Sequence, residues 1–417
     1  MKILHIISQP PDFTGSGKFI SQIIHHSNRQ GHDNFLLAGV LSDFKVPEDL
    51  LPEEACLFVR FETTDISFPI PGMSDIMPYK SRMFSTLTQL ETSEYKAAFK
   101  IKILEAIQRF SPDIIHSHHL WLVSSLVRQL AEDIPLVTTC HGTCLRQHYL
   151  CPELGRSMVK DLQRIDQIIA LSRDQKQNII KTLGIESEKI HVISGGYNQA
   201  CFFYKSKAFD GTVHLLYAGK LSHSKGVPWL LNSLAQIKDL PYHLHIAGSS
   251  AGKEKEDCLE LIKTLGSKAS YYGAVSHERL GELMQNAHVF ILPSFYEGLP
   301  LVLMEAAACG CRIITTDLAG VKEIFGEDNN SMVDMIKLPR LQTIDTPFPQ
   351  DMDELQDRLA RILRHHIESM MHGCLPDMES VCSASSQFTW DYIFSKIQAV
   401  YLSLQRNSRQ SATPTND

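Results

Sequence analysis

The stretch HVFILPSFYEGLPLVLMEAAACG, residues 288–310, joins three structural signals in one short segment. An apolar run ends at Ser294, a turn with Gly298 and Pro300 follows, and a second apolar run then begins. A short apolar run before turn residues predicts a buried strand, and proline suits the first position of a helix. The stretch therefore predicts a strand–turn–helix unit, with Glu297 in the turn and Glu305 in the helix. Two carboxylates in so apolar a segment suggest a polar ligand rather than a role in packing.

The same alternation of strand and helix continues along the chain. The predicted strands cover residues 2–8, 34–40, 56–61, 113–118, 136–140, 167–172, 189–194, 213–219, 242–249, 269–275, 289–294 and 311–316. Continuous apolar strands that alternate with helices predict parallel sheets covered on both faces. Two such series predict an α/β fold with two doubly wound, Rossmann-like domains.

The domain boundary is predicted where glycines and a polar stretch interrupt this pattern, near residues 194–212. We assign residues 1–200 to an N-terminal domain and 201–388 to a C-terminal domain. An amphipathic helix is predicted over 389–406, with Thr389 as its cap, followed by a disordered tail over 407–417. Residues 62–92 carry several prolines without a clear period and predict a long loop.

Composition indicates a soluble globular protein and disfavours several other classes. Of the 417 residues, 43% are hydrophobic and 21% are charged, and the net charge is −7. A general nucleic-acid binder is more often basic, no run approaches the length of a membrane span, and the apolar start of the chain is too short for a signal peptide. We therefore expect a cytoplasmic protein. Zinc held by the cluster Cys140, His141, Cys144, His148 and Cys151 is an alternative that lacks paired Cys-x-x-Cys knuckles.

Three loops at predicted strand ends carry residues suited to a phosphorylated ligand. Open parallel sheets bind ligands at the carboxyl ends of their strands. The loop after the first strand offers backbone amides at a helix start, Lys220 and Lys225 follow another strand, and the turn after Ser294 combines amides with carboxylates. Packing glycines and solvated lysines are the alternatives for the first two loops. In the third, the amides of Gly298, Leu299, Leu301 and Val302 could face phosphate while Glu297 and Glu305 face hydroxyls on either side.

These motifs, taken together and in order, resemble the family-4 retaining glycosyltransferases of the GT-B fold. The resemblance covers most of the chain: the first glycine loop, DIIHSHH, TTCHG, IIALS, GGYN, AGKLSHSKG, the block from AVSHERL to ACG, and the final helix from FTW. It implies two facing Rossmann-like domains with a cleft between them. It also implies that the final helix crosses back to the N-terminal domain.

The resemblance also implies roles for individual residues. His141 would face the sugar near its reacting carbon, Lys225 would hold the donor diphosphate, Glu297 would bind sugar hydroxyls and Glu305 the ribose. Lys220 stands where the family usually has arginine, so that a bidentate phosphate contact is lost and the charge is kept. The donor site is expected to comprise Gly15, Ser16, Gly17, Lys220, Lys225, Glu297, Gly298, Leu299, Pro300, Leu301, Val302 and Glu305, and the acceptor side His118, Trp121, Arg146 and Gln147.

We therefore expect a retaining hexosyl or N-acetylhexosaminyl transfer from a nucleotide-diphosphate sugar to a hydroxyl of a glycan, lipid or small metabolite. A UDP-sugar is favoured as donor, with a GDP-sugar next. No metal or other cofactor is expected, because the only Asp-x-Asp pattern, Asp351 and Asp353, suits the first turn of a helix. A protein that binds a nucleotide sugar without transferring it and a nucleotide-sugar epimerase are the alternatives. The basic helix around Lys96, Lys100, Lys102 and Arg109 allows at most peripheral membrane contact.

Overall fold

The computed structural model describes residues 1–11, 14–74, 77–207, 209–250, 252–326, 332–343, 345–373 and 385–411. The chain forms two compact units. Domain 1 comprises Met1–Gly195 with Trp390–Asp417, and domain 2 comprises Gly196–Thr389. Among the described helices, none has both the length and the apolar character needed to cross a bilayer.

Domain 1 is built on a parallel sheet of seven strands. The sheet strands are β1 (Lys2–Ile7), β2 (Asp33–Val40), β3 (Cys56–Arg60), β6 (Ile114–His118), β7 (Leu136–Cys140), β8 (Gln167–Ala170) and β9 (Ile190–Val192). Their order is β3-β2-β1-β6-β7-β8-β9, so the sheet grows outward in both directions from β1. The helices are α1 (Gly15–Arg29), α2 (Gln89–Phe110), α3 (Leu122–Leu130), α4 (Cys144–Leu150), α5 (Pro152–Gln163), α6 (Arg173–Leu183) and, from the end of the chain, α13 (Trp390–Ser411).

Domain 2 has a second parallel sheet of six strands. Its strands are β10 (Val213–Ala218), β11 (Tyr242–Ala247), β12 (Ala269–Tyr271), β13 (Val289–Leu292), β14 (Arg312–Thr316) and β15 (Val333–Ile336). Their order is β12-β11-β10-β13-β14-β15, which is the order of doubly wound nucleotide-binding sheets. The helices are α7 (Val227–Ala235), α8 (Lys253–Thr264), α9 (His277–Asn286), α10 (Leu301–Ala308), α11 (Ala319–Phe325) and α12 (Met352–Met371).

The terminal helix α13 belongs to domain 1. Its buried side chains, among them Trp390, Phe394 and Tyr401, share one hydrophobic cluster with Phe19 of α1 and with apolar residues of the sheet. The backbone is helical through Ser411, where the sequence predicts a disordered tail from residue 407. Residues 412–417 of that predicted tail lie outside the described residues.

The prediction of one long loop over residues 62–92 is wrong in part. This segment contains a small parallel pair, β4 (Ile70–Gly72) and β5 (Ser81–Met83), and α2 begins at Gln89. The start of α2 is fixed by a capping box in which the Thr88 hydroxyl accepts the Glu91 amide hydrogen and the Glu91 carboxylate accepts that of Thr88. Strands of three residues are too short for a pattern to show, because one or two alternations do not make a period.

Candidate active site

Both sheets reverse their strand order at a point where functional side chains gather. The reversal lies between β1 and β6 in domain 1 and between β10 and β13 in domain 2. Ligands of open α/β sheets bind at the carboxyl ends of the strands beside such a point. The loops that follow β10 and β13 carry Lys220, Lys225 and Glu297. The segments that follow β1 and β6 carry Ser16, at the start of α1, and His119.

In domain 2 the Lys225 and Glu297 side chains form an ion pair. The Nζ of Lys225 lies 2.7 Å from Oε1 of Glu297, and the side chains are 25% and 16% exposed. The buried Ser294 donates a second hydrogen bond to the same carboxylate oxygen at 2.8 Å, and Lys225 also donates to the Tyr296 carbonyl oxygen at 3.4 Å. The β14 residue Thr316 donates to the Ser294 carbonyl oxygen at 2.6 Å. The carboxylate is thus held in place from its own strand end while one side of the pair stays open to solvent.

The two loops of domain 2 are tied to each other by backbone contacts. The Phe295 amide donates to the Ser224 carbonyl oxygen at 2.9 Å. Gly226 has a φ of +68°, and a Cβ at this position would lie 2.0 Å from the carbonyl oxygen of Pro293. Only glycine allows this approach without displacing the backbone. Gly226 therefore lies directly against the end of β13, and this contact sets the distance from Lys225 to Glu297.

Lys220 lies on the exposed surface of the same loop. The hydroxyl of buried Tyr217 donates to the Lys220 carbonyl oxygen at 2.7 Å, so the core of domain 2 fixes the backbone here while the ammonium group is left in solvent. This position suits a mobile point charge.

The turn from Glu297 to α10 offers fewer backbone donors than the sequence predicts. The Leu301 amide donates to the Leu299 carbonyl oxygen at 3.0 Å, so the prediction that it is available to a ligand is wrong. For the amides of Gly298, Leu299 and Val302, no partner is found in the part of the chain that the structure describes. These three amides, next to Pro300 at the helix start, remain able to meet an anion.

The turn is also supported from α11. A Cβ added to Gly320 would lie 1.7 Å from the carbonyl oxygen of Gly298 and 3.4 Å from the Cα of Leu299. Gly320 thus lets the start of α11 lie directly against the backbone that follows Glu297. It is a supporting residue that the sequence pattern did not single out.

Substituting Gly320→Ala is expected to destabilise domain 2, because the new methyl group overlaps backbone atoms that cannot move without shifting the turn. Overpacking of this kind costs about 1–3 kcal/mol. Chemical denaturation of the full chain measures the change. The matched control is Gly15→Ala at the exposed start of α1, where an added Cβ meets nothing within 4 Å and should leave stability nearly unchanged. Equal stability of both variants would contradict the overlap.

Glu305 lies in the interior of α10. Burial raises the pKa of Cys201, and the carboxylates of Glu278 and Glu305 add to that effect, which places Glu305 near Cys201. Its side chain is only partly buried. The ribose contact implied by the resemblance stays a prediction.

In domain 1, His141 follows β7 directly and packs among aromatic rings. Its Nε2 is hydrogen-bonded to Nδ1 of His118 at 3.2 Å, and the Phe19 ring meets it edge-on with centroids 5.3 Å apart. Burial lowers the pKa of His141 well below its usual value, and the neighbouring His119 and His116 lower it further. His141 is therefore an uncharged imidazole at neutral pH, with 6% of its surface exposed.

His119 is a site residue that the sequence analysis missed. Its Nε2 is hydrogen-bonded to the Ser16 hydroxyl at 3.1 Å, its Nδ1 lies 3.6 Å from Sγ of Cys144, and its ring centroid is 4.8 Å from that of His141. Its φ of +72° is uncommon outside glycine, and such backbone strain tends to occur at functional sites. The sequence feature that could have indicated this residue is the third histidine of HSHH, residues 116–119, which directly follows a predicted strand. His119 connects the first glycine loop to the His141 segment.

In the first glycine loop, some of the backbone amides at the start of α1 already donate hydrogen bonds within the loop. Thr14 caps α1, since its hydroxyl accepts the Gly17 amide hydrogen at 3.0 Å and its carbonyl accepts that of Lys18 at 2.8 Å. For the amides of Gly15 and Ser16 at this helix start, no partner is found among the described residues, so they remain for an anion. Residues 12 and 13 of the loop lie outside the described part.

Of the four predicted acceptor-side residues, three are buried. His118 has no exposed surface, Trp121 packs edge-on against His148, and Gln147 donates to the Met73 carbonyl oxygen at 2.9 Å. Arg146 has an exposed side chain. An acceptor role stays a prediction for all four, and contact with the buried three would need their atoms to be uncovered.

The described residues contain one group of three possible metal ligands, and it is not the cysteine–histidine cluster that the sequence raised as an alternative. His5, His116 and His118 bring one ring nitrogen each within 4.8 Å of one another. Both ring nitrogens of His116 are already occupied, by the Tyr401 hydroxyl at 2.6 Å and the Thr139 hydroxyl at 2.8 Å. These side chains are therefore better described as a hydrogen-bonded core than as a metal centre.

Comparison with known families agrees with the strand-end motifs. The sequence model of Glycosyltransferase Family 4 matches residues 78–200, and that of Glycosyl transferases group 1 matches residues 202–334. The first match includes His118 and His141, and the second includes Lys220, Lys225 and Glu297.

Curated and solved relatives match larger parts of the chain than either family model. Glycogen synthase of Mycobacterium tuberculosis is 25% identical over 328 residues, covering 76% of this chain and 74% of that protein. D-inositol 3-phosphate glycosyltransferase of Pseudarthrobacter chlorophenolicus is 27% identical over 263 residues, covering 56% of this chain and 62% of that protein. The Anabaena protein HepE, solved with UDP and glucose, shares the fold with a TM-score of 0.65 and 18% identity over 97% of this chain and 100% of that chain. The chain therefore belongs to the group 1, family 4 glycosyltransferases and is a GT-B glycosyltransferase.

Proposed function

We propose that the protein is a retaining glycosyltransferase that moves a hexosyl or N-acetylhexosaminyl group from a nucleotide-diphosphate sugar to an acceptor hydroxyl. The observation that carries this proposal is the Lys225–Glu297 pair at the strand-order reversal of domain 2. It places a cation for diphosphate and a carboxylate for sugar hydroxyls side by side. HepE, a structural neighbour, is described in complex with UDP-glucose, which favours a UDP-sugar as the donor, with a GDP-sugar next.

Donor binding would change the partner of Lys225. A diphosphate carries more negative charge than one carboxylate and competes for the ammonium group. Ser294 continues to donate to Glu297 when Lys225 turns away, so the carboxylate stays oriented and becomes free to accept from sugar hydroxyls. The pair thus keeps both groups in position before the donor arrives, which limits reorganisation during the reaction.

The proposed reaction breaks the bond between the anomeric carbon and the phosphate oxygen, and the electron pair leaves with the nucleoside diphosphate. The acceptor oxygen forms its new bond to the anomeric carbon on the same face and gives its proton to the departing phosphate. Lys220, Lys225 and the amides at the start of α10 would stabilise the charge that develops on the phosphate. This scheme needs no metal ion and no carboxylate nucleophile. Glu297 would act on hydroxyls, in contrast to a glycosidase acid–base pair.

The acceptor is proposed to be a hydroxyl of a glycan, a lipid or a small metabolite. Curated relatives include glycogen synthase and an inositol 3-phosphate glycosyltransferase, whose names specify a polymer and a phosphorylated polyol. The exposed Arg146 side chain and the Ser16–His119 contact are polar features of domain 1 at which this assignment can be tested.

A thermal-shift screen with UDP-, GDP-, ADP- and TDP-sugars, followed by a transfer assay with the donor that binds, tests the proposal. A ligand at a hundred times its dissociation constant stabilises the folded state by about 2.7 kcal/mol. One nucleotide class is expected to raise the melting temperature and to release its diphosphate only when an acceptor hydroxyl is supplied. Release without any acceptor would favour an epimerase, and binding without turnover would favour a nucleotide-sugar sensor.

Substituting Lys220→Arg is expected to hold or tighten donor binding, because a guanidinium group can donate two parallel hydrogen bonds to phosphate where an ammonium group acts as a point charge. Donor affinity measured by calorimetry checks this result. Lys263→Arg, at an exposed lysine paired with Glu260, is the matched control and should change nothing. A tenfold loss of affinity in Lys220→Arg alone would mean that the lysine makes a contact particular to this enzyme.

A further inference from the structure

A row of buried histidines leads along one face of the domain 1 sheet to His141. His5 on β1 lies in register with His116 on β6, and His118 two residues later faces the same way. The rings of His116 and His118 stack with centroids 4.5 Å apart, and the rings of His118 and His141 lie nearly parallel with centroids 5.5 Å apart. His141 is the member of the row that keeps some exposed surface. Any ligand would therefore meet His141, while the others act through it.

One hydrogen atom must lie between His118 and His141. Burial lowers the pKa of both rings well below the usual value for histidine, so each is uncharged at neutral pH and carries a single N–H. The contact joins Nδ1 of His118 to Nε2 of His141. Two arrangements are possible, and they place the proton of His141 on opposite sides of its ring.

The environment of the His118 ring determines which of the two arrangements is present. Its Nε2 is buried and has no hydrogen-bond partner among the described residues. If the proton were on Nε2, a buried N–H would have no acceptor, whereas a proton on Nδ1 makes the contact with His141 and leaves only a lone pair unmatched. Orphaned buried N–H groups are rarer than under-satisfied acceptors. His118 therefore donates from Nδ1, and Nε2 of His141 accepts.

We infer that His118 is a positioning residue that holds His141 as the tautomer protonated on Nδ1, so that His141 meets the donor substrate as a hydrogen-bond donor and not as a base. The orientation of the ring is fixed at the same time by Phe19 and His119 on its other sides. The hydrogen bond between His118 and His141 is a feature of the structure and does not depend on the proposed function. Its consequence for catalysis rests on the proposed glycosyl transfer.

The tautomer of His141 can be measured without an activity assay. In the full chain labelled with ¹⁵N-histidine, long-range ¹H–¹⁵N spectra at neutral pH distinguish protonation on Nδ1 from protonation on Nε2, and comparison with His141→Asn assigns the signals of His141. We expect the Nδ1–H form. The Nε2–H form, or a mixture of the two, would overturn the inference and would point to a buried water that satisfies Nε2 of His118.

Two substitutions of similar size then test the effect on transfer. In His118→Asn the amide nitrogen takes the place of Nδ1 and can still donate to His141, whereas in His118→Gln it takes the place of Nε2 and cannot. We expect His118→Asn to keep kcat within severalfold and the tautomer unchanged. His118→Gln should lose tenfold or more in kcat, with little change in donor KM and with loss of the single tautomer.

Equal losses in both variants with an unchanged tautomer would reduce His118 to a packing residue. If the unsubstituted chain shows no transfer at all, the tautomer measurement still decides the inference, while the proposed function fails separately.

Discussion

Glu297→Ala is expected to lower glycosyl transfer at least about a hundredfold while the chain stays folded, a loss comparable to that of other preorganised transition-state contacts. The carboxylate belongs to the turn between β13 and α10 and contributes nothing apolar to the core of domain 2. Its removal takes away the group proposed to bind sugar hydroxyls and leaves Lys225 without its 2.7 Å partner. Lys225 is partly exposed and can turn toward solvent, so the effect on stability should be small.

Steady-state kinetics with the donor identified by the thermal-shift screen, together with the melting temperature, check this expectation. Glu260→Ala is the matched control, since it removes the carboxylate of an exposed lysine–glutamate pair whose atoms are 2.6 Å apart. Glu297→Gln keeps an acceptor for Ser294 and should lose less activity than Glu297→Ala. Near-normal turnover of Glu297→Ala with an unchanged melting temperature would remove Glu297 from the proposed mechanism.

The architecture could be predicted from the sequence because the strands are buried on both faces. A strand such as β13 is a continuous apolar run, and the turn residues at its end mark where the chain leaves the sheet. The rule that ligands lie at the carboxyl ends of strands then selected the loops of Lys225 and Glu297. The strand β15 was missed because Val333–Ile336 has only four residues and is interrupted by Asp334, so that it gives no apolar run.

The pairing inside the site could not be predicted in the same way. The sequence assigned Lys225 and Glu297 to different parts of one ligand, and 72 positions separate them along the chain, whereas the structure joins them directly. The support at Gly320 depends on a distance between separate loops that no local pattern encodes. His119 was overlooked for a similar reason, since its contacts to Ser16 and Cys144 come from residues 103 and 25 positions away.

Domain 1 is expected to lose stability steeply when the pH falls below about 6.5. Burial lowers the pKa of His5 to about 4 and lowers those of His116, His118 and His141 well below the usual value. The folded domain therefore keeps these four rings uncharged, while the unfolded chain takes up protons below the ordinary histidine pKa. Stability is fully present above that pKa and is lost as the pH decreases toward the folded values.

The expected slope is large because several groups act together. Each histidine that is protonated only in the unfolded chain lowers the free energy of unfolding by about 1.4 kcal/mol for every unit by which the pH decreases. Four of them remove several kcal/mol per unit, which is a large part of the 5–15 kcal/mol that typically separates folded from unfolded domains. We expect domain 1 to unfold between roughly pH 6 and pH 5 under conditions in which it is stable at neutral pH.

Fluorescence can follow this domain separately. The chain has three tryptophans, of which Trp121 and Trp390 lie in domain 1 and Trp229 in domain 2, so that Trp229→Phe leaves only reporters of domain 1. Urea titrations between pH 7.5 and pH 5 give the dependence of stability on pH, and His5→Gln should reduce its slope by about one proton. His25→Gln, at an exposed position of the same domain, is the matched control. A flat profile would mean that water or a counter-charge reaches the histidine row. It would also weaken the tautomer inferred for His141, because a water beside Nε2 of His118 could accept a hydrogen bond from that nitrogen and would remove the reason for placing the proton on Nδ1.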